Sequence, residues 1–176
     1  RILSLAVLTF ILLAVPVSAL AQTYYFSVDR EIVHVYWQED GTLALDYFFV
    51  FSNSPSASPI DFVDVGIPTN KYNINNTSAE VNGKSISHIE YSSYVDGIEV
   101  GLGENAIQPG ETGTVQVLIW GIEDVLYTDT QDSSYASAVF SPTWFGSEYV
   151  YGNTEMEVNF HLPPRGEPKE PRLQRN

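Results

Sequence analysis

A run of strictly alternating side chains at residues 43–52 constrains the fold of this chain more than any other feature. A period of two is typical of a strand with one buried face. Because two strands alone cannot cover a large aromatic surface, further strands must pack over this one. The residues that share the apolar side are Leu43, Leu45, Tyr47, Phe49 and Phe51.

A second apolar run precedes this strand and predicts its hairpin partner. Residues 32–37 are β-branched and aromatic, and Asp40 and Gly41 separate the two runs. An acidic residue followed by glycine favours the positive φ angles of a tight turn. We therefore expect a long hairpin over residues 31–52.

Turn signals divide the remaining chain into short strands. Asn82-Gly83 is typical of a type I′ hairpin, and Pro109-Gly110 leads into a β-branched run. We expect eight or nine strands in an all-β, antiparallel β-sandwich, immunoglobulin-like or jelly-roll-like, with a closed barrel as the alternative. In the last strand, residues 155–162, four side chains are expected to point inward. They are Met156, Val158, Phe160 and Leu162.

The two ends of the chain differ in composition from its centre. Residues 1–21 read as a signal peptide, with an apolar stretch and the small residues Ala19 and Ala21 before a cleavage site. An uncleaved membrane anchor is the alternative. Residues 22–162 form the predicted β domain, and residues 163–176 read as a proline-rich polar linker. We expect the chain to be a fragment of a longer protein.

The charge of the predicted domain restricts its partners. The whole chain carries −14, but residues 22–162 hold three basic and twenty acidic residues, a net charge of −17. Such a field repels nucleic acid and anionic lipid headgroups. The absence of cysteine excludes thiol nucleophiles and thiolate metal sites. With no nucleophile elbow and no phosphate-binding loop in the sequence, we expect a protein that is not an enzyme.

An aromatic loop is the predicted ligand-binding site. Pro142 must leave the sheet because it lacks an N–H group, which places Trp144 and Phe145 at one end of the sandwich. Together with Tyr135 they could bind a sugar or a peptide, while packing against the core is the alternative for these rings.

Two sets of residues are candidate metal ligands. The acidic connection from residue 121 to 134 could supply oxygen ligands to calcium, although a solvated acidic loop would have the same composition. Its carboxylates are Glu123, Asp124, Asp129 and Asp132. The three histidines, His34, His88 and His161, lie on separate predicted strands without the close spacing of a zinc site. We expect them to be surface residues.

Four segments resemble a known family. They are Val-x-Val-Tyr-x-x-Glu-Asp-Gly-Thr-Leu at residues 33–43 and the segments at residues 59–68, 108–115 and 135–146. Together they resemble the extracellular N-terminal β domain of uncharacterised bacterial predicted membrane proteins, a family of unknown function. The resemblance implies transmembrane helices beyond the β domain and carries over no catalytic residues.

These observations predict an extracytoplasmic, non-enzymatic β-sandwich module of a membrane-anchored protein. The domain would lie outside the cell membrane, anchored through a C-terminal part or an uncleaved signal, and would bind an unknown protein or glycan ligand. No cofactor is expected apart from a possible calcium ion. The alternative is a secreted carbohydrate-binding or carbohydrate-active domain, which the acidic surface and the aromatic loop favour.

Overall fold

The computed structural model describes residues 22–163, so the predicted signal peptide and nearly all of the predicted linker lie outside it. The described chain is built of strands, with two single 3-10 turns at Ile74–Asn76 and Gly103–Asn105. Within this range, no helix is long and apolar enough to cross a membrane. The strands are β1 Phe26–Trp37, β2 Leu43–Asn53, β3 Phe62–Gly66, β4 Thr77–Val81, β5 Lys84–Ile86, β6 Ile89–Tyr91, β7 Gly97–Gly101, β8 Thr112–Ile122, β9 Tyr127–Thr128, β10 Ala136–Ser137 and β11 Glu155–His161.

The strands form two open sheets that share one core, which confirms the all-β sandwich. The larger sheet has the order β11-β1-β2-β8-β4-β5, the smaller has β3-β7-β6, and β9 and β10 make a separate ribbon. The described chain holds more strands than predicted. Two causes are that residues 84–91 divide into β5 in one sheet and β6 in the other, and that the acidic connection contributes β9.

The alternating row of β2 forms the centre of the core, as predicted. Its five inward side chains, from Leu43 to Phe51, are all fully buried. On the two neighbouring strands, Val33 of β1 and Val117 of β8 lie on either side of Tyr47. Residues of the smaller sheet, among them Val65 and Val100, join the same apolar cluster. The aromatic side of β2 is therefore covered by a second layer.

The two predicted hairpin turns have different geometries. Asn82 and Gly83 both have positive φ, 51° and 75°, as a type I′ turn requires. In the turn between β1 and β2 only Gly41 has a positive φ, 84°. The prediction that Asp40 also has a positive φ is therefore wrong. The Gln38 N–H donates to the Thr42 carbonyl at 2.9 Å across a three-residue loop. Such a loop needs a left-handed residue only at its last position, which glycine fills.

The last strand departs from the prediction in direction and in burial. β11 runs parallel to β1, although every other strand pair is antiparallel. Met156, Phe160 and Leu162, all expected to be inward, are about half exposed, at 50%, 50% and 48%. The reason is that β11 is the outermost strand of the larger sheet, where the second layer gives little cover.

We predict that Gly97→Ala destabilises the domain strongly, whereas Gly66→Ala has little effect. The two glycines face each other across β3 and β7. A Cβ on Gly97 would collide with the Val65 carbonyl oxygen, while one on Gly66 would lie 3.7 Å from Thr143 Oγ1, an ordinary contact. We expect a loss of at least about 2 kcal/mol for Gly97→Ala by urea unfolding. Equal losses in the two variants would contradict this interpretation of the pair.

Candidate functional site

An extended segment after β10, residues 139–146, lies against the core side of the larger sheet. Its residues alternate, so that Thr143 and Phe145 turn inward and Trp144 turns outward. The Thr143 hydroxyl oxygen accepts the Gly66 N–H at 2.9 Å, which joins the segment to the end of β3. Trp144 is therefore held between a buried neighbour, Thr143, and a partly buried one, Phe145.

Phe145 is partly buried and packs against the core. Its ring makes edge-to-face contacts with Phe26, Phe49 and Phe51, at centroid distances of 5.8, 5.9 and 5.5 Å. Edge-to-face pairs of this kind stabilise aromatic clusters beyond their area burial. Of these two neighbouring rings, Trp144 is the exposed one.

Trp144 lines a cleft of about 450 Å³ beside the end of β3. Its side chain is 78% exposed, so the indole is free to contact a ligand. The cleft brings together the end of β3, the loop before β7, the acidic connection and the extended segment. Its lining residues are Gly66, Ile67, Pro68, Thr69, Val95, Asp96, Val125, Tyr127, Val139, Ser141, Pro142, Thr143 and Trp144.

The cleft combines an apolar floor with polar groups. Ile67 and Val125 are buried residues of the lining, and Asp96 supplies a carboxylate. Thr69 and Tyr127 also line the cleft, but their hydroxyl groups donate to nearby backbone carbonyls at 2.9 and 3.3 Å. Apolar lining with a few polar groups is the usual composition of a small-ligand site. The lining is therefore mainly apolar, with one carboxylate.

Two of the four carboxylates predicted as calcium ligands, Asp129 and Asp132, accept hydrogen bonds from residues close by in the chain. Asp129 Oδ1 accepts the N–H groups of Gln131 and Asp132 at 2.8 and 2.9 Å, and its other oxygen accepts the Ser137 hydroxyl at 2.7 Å. Asp132 Oδ1 accepts the N–H and the hydroxyl of Ser134, and these bonds lower the pKa of that carboxyl. Within residues 22–163, no three His, Cys, Asp or Glu side chains are placed to hold a metal ion.

The other predicted site residues lie around the cleft without lining it. Glu123 is exposed, and its N–H donates to the Lys71 carbonyl at 2.8 Å. Asp124 is exposed in a left-handed conformation with φ of 55°. Tyr135 is also exposed, and its carbonyl accepts the Asp129 N–H in the ribbon of β9 and β10. The acidic connection therefore contributes Val125 and Tyr127 to the cleft, not its carboxylates.

A buried carboxylate close to this segment was not among the predicted site residues. Glu31 of β1 is only 2% exposed, and its Oε1 has no hydrogen-bond partner among the described residues. Burial raises the pKa of Glu31 from 4.5 to about 7. Burial also raises the pKa of Tyr47, with a contribution from the Glu31 charge, and Thr143 lies beside the Tyr47 hydroxyl. The alternation of Val33 and Val35 could have revealed Glu31, since it lies two residues earlier on the same face.

Two of the three histidines lie in contact in the structure, and the third lies apart from them. His34 of β1 and His161 of β11 face each other, with ring nitrogens 2.8 Å apart. His88 lies in the smaller sheet region, 3.8 Å from the Glu90 carboxylate. Sequence spacing could not reveal this pair. The two histidines are 127 residues apart, and only the parallel alignment of their strands brings them together.

Comparison with known proteins adds only distant partial similarities. No family model and no curated protein matches the chain. Among solved structures, an M1 zinc metallopeptidase from Deinococcus radiodurans matches at a TM-score of 0.40 and 16% identity, over 59% of this chain and 22% of that one. Native yeast LTA4 hydrolase matches at 0.39 and 10%, over 57% and 15%. The chain thus spans about a fifth or less of these proteins, and similarity at this level identifies neither a family nor an activity.

We predict that Glu31→Gln changes the pH dependence of stability. Because the pKa of Glu31 is higher in the folded protein, folding takes up a proton, and stability falls as the pH rises from about 4.5 to about 7. At pH 8 the buried charge costs about 3 kcal/mol, which the variant avoids. The difference in melting temperature between variant and wild type should therefore shift in favour of the variant between pH 4.5 and pH 8. A constant difference would mean that Glu31 is not the titrating group.

A second prediction compares the two aromatic neighbours in the extended segment. Trp144→Ala should change the free energy of unfolding by less than about 0.5 kcal/mol, since the indole is exposed. Phe145→Ala should cost about 3 kcal/mol because it leaves a cavity among three core rings. Urea unfolding of both variants measures this, and a large loss for Trp144→Ala would show that the indole is a structural residue.

Proposed function

We propose that this chain is an extracytoplasmic, non-enzymatic binding module of a membrane-anchored protein, and that its ligand binds in the cleft beside Trp144. The observation that carries the proposal is the exposed indole at an apolar cleft, held in place by the buried Thr143 and the partly buried Phe145. Large exposed aromatic rings at a rigid site are the common anchors of recognition surfaces.

The location outside the cytoplasm rests on sequence features. The apolar stretch near the N-terminus and the Ala19-Leu20-Ala21 motif are typical of export. The resemblance to extracellular domains of membrane proteins supports the same location and the membrane anchor. The strongly acidic surface is compatible with a protein or glycan partner and unfavourable for nucleic acid.

The chemistry of the cleft supports binding without catalysis. Of the residues that line it, Asp96 is the sole carboxylate, and Tyr127 is the other titratable group. Hydrolysis of a glycosidic bond ordinarily uses two carboxyl groups on opposite sides of the bond. One carboxylate among hydroxyl groups is suited to hydrogen bonding with a ligand.

A carbohydrate is the second, narrower candidate for the ligand, and it too is a proposal. The flat indole of Trp144 can stack on the apolar face of a sugar ring. The Asp96 carboxylate can accept hydrogen bonds at the ring's hydroxylated edge, and the Ser141 hydroxyl can accept or donate them. A peptide could use the same apolar floor, so the experiment must test both classes.

Binding can be tested with two libraries and two tryptophan variants. The labelled full chain is applied to a glycan array and, separately, used to select from a random-peptide library. Any ligand found is titrated against wild type, Trp144→Ala and Trp120→Ala. Trp120 is the matched control, 44% exposed in β8 and absent from the cleft lining.

We expect Trp144→Ala to weaken binding at least tenfold and Trp120→Ala to leave it unchanged. A blank glycan array with specific peptides would reject the carbohydrate candidate and retain the binding module. If neither library yields a ligand that depends on Trp144, the proposed cleft is not a binding site.

A further inference from the structure

The histidine pair lies on the outer face of the larger sheet, opposite the core. Val33 and Val35 of β1 are buried, so His34 and Tyr36 project from the other side. In the parallel alignment of β1 with β11, His161 stands directly beside Tyr36. His34 Nδ1 and His161 Nε2 approach to 2.8 Å, so two nitrogens from distant parts of the chain converge on one point.

Stacking holds the two imidazole rings in this orientation. The Tyr36 ring lies on the His161 ring with a centroid distance of 4.3 Å and an interplanar angle of 13°. His34 stacks on both neighbours, 6.0 Å from Tyr36 and 5.1 Å from His161. Because the rings are already oriented, the two histidine side chains lose less conformational freedom when an ion binds between them.

The two nitrogens lie at hydrogen-bond distance, so the rings must move slightly before both can bind one cation. Two neutral imidazoles at hydrogen-bond distance share one hydrogen between a donor and an acceptor nitrogen. A Zn²⁺ ion bonds to histidine nitrogen at about 2.0 to 2.1 Å, so two ligands at a tetrahedral angle lie about 3.3 Å apart. The present separation of 2.8 Å therefore needs to widen by about half an ångström.

We propose that His34 and His161 form a two-histidine site for a divalent transition-metal ion, which cross-links the edge strand β11 to β1. Imidazole is a preferred ligand of zinc, nickel and copper. Since no third His, Cys, Asp or Glu of residues 22–163 converges with the pair, water or an external ligand occupies the other positions. The affinity is accordingly lower than that of a closed site with four protein ligands.

Apart from its backbone pairing with β1 over seven residues, the strand that this site would fasten is held by few side-chain contacts. Met156 and Phe160 of β11 are half exposed, so burial contributes little to its attachment. At its other end, Arg30 lies 3.7 Å from Glu155 and 3.8 Å from Glu157, and exposed ion pairs of this kind contribute little. The surrounding net negative charge attracts cations to the surface. Metal binding at the pair should therefore stabilise β11 measurably.

The test uses the untagged full chain and the metal ion alone. Isothermal titration calorimetry with NiCl₂ and with ZnCl₂ should show one ion bound per chain, and either metal should raise the melting temperature. His34→Asn and His161→Asn should each weaken binding at least tenfold and abolish the rise. His88→Asn is the matched control, since its exposed ring lies beside Glu90 away from the pair, and it should bind like wild type.

Two results would overturn the proposal. One is metal binding that survives both His34→Asn and His161→Asn, and the other is an equal loss in His88→Asn. Where a variant folds poorly by circular dichroism, the wild type gives the answer. Substoichiometric Cu²⁺ should then broaden the ring-proton NMR signals of His34 and His161 and spare those of His88, and uniform broadening of all three would reject the site.

Discussion

The stacking of the inward aromatic side chains of β2 is the interaction on which the packing of the other elements depends. Tyr47 stacks on Phe49 at 5.4 Å and Phe49 on Phe51 at 5.5 Å, in a continuous column down the middle of the larger sheet. Without disulfides, covering this column is the main source of stability available to the domain. The smaller sheet covers one part of the column, and Phe145 of the extended segment covers another. A segment that completes the core in this way cannot move freely, which is why the indole beside it is held at a defined position.

The candidate site is therefore linked to the core, because inward and outward side chains alternate along residues 143–145. Thr143 and Phe145 are anchored inside, and Trp144 between them can only face outward. Glu31 introduces a pH-sensitive charge into the same core, close enough to affect Tyr47. Substitutions in the core can therefore alter the cleft without touching it, so binding measurements on core variants need a parallel measurement of stability.

Sequence patterns predicted the features that depend on residues close together in the chain. The alternation of β2 and the type I′ turn at Asn82-Gly83 could both be read from neighbouring residues. The parallel pairing of β11 could not, because an edge strand and a central strand with the same alternation differ only in what lies beside them. For the same reason Met156 and Phe160 were expected inside, and the meeting of His34 with His161 was missed. The packing of Phe145 could not be predicted, because a loop aromatic can face either way until the core that receives it is known.

The parallel alignment of β1 and β11 also has a mechanical consequence. Residue 26 begins β1 at one end of the pair, and residue 161 ends β11 at the opposite end. Tension between these two points pulls the strands past each other along their length, so the hydrogen bonds of all seven aligned residue pairs, Arg30 with Glu155 through Tyr36 with His161, resist the force together. Antiparallel neighbours pulled from a shared end would instead separate one bond at a time. The last strand thus gives the domain a shear geometry, which single-molecule stretching from residues 26 and 161 would register as a high unfolding force.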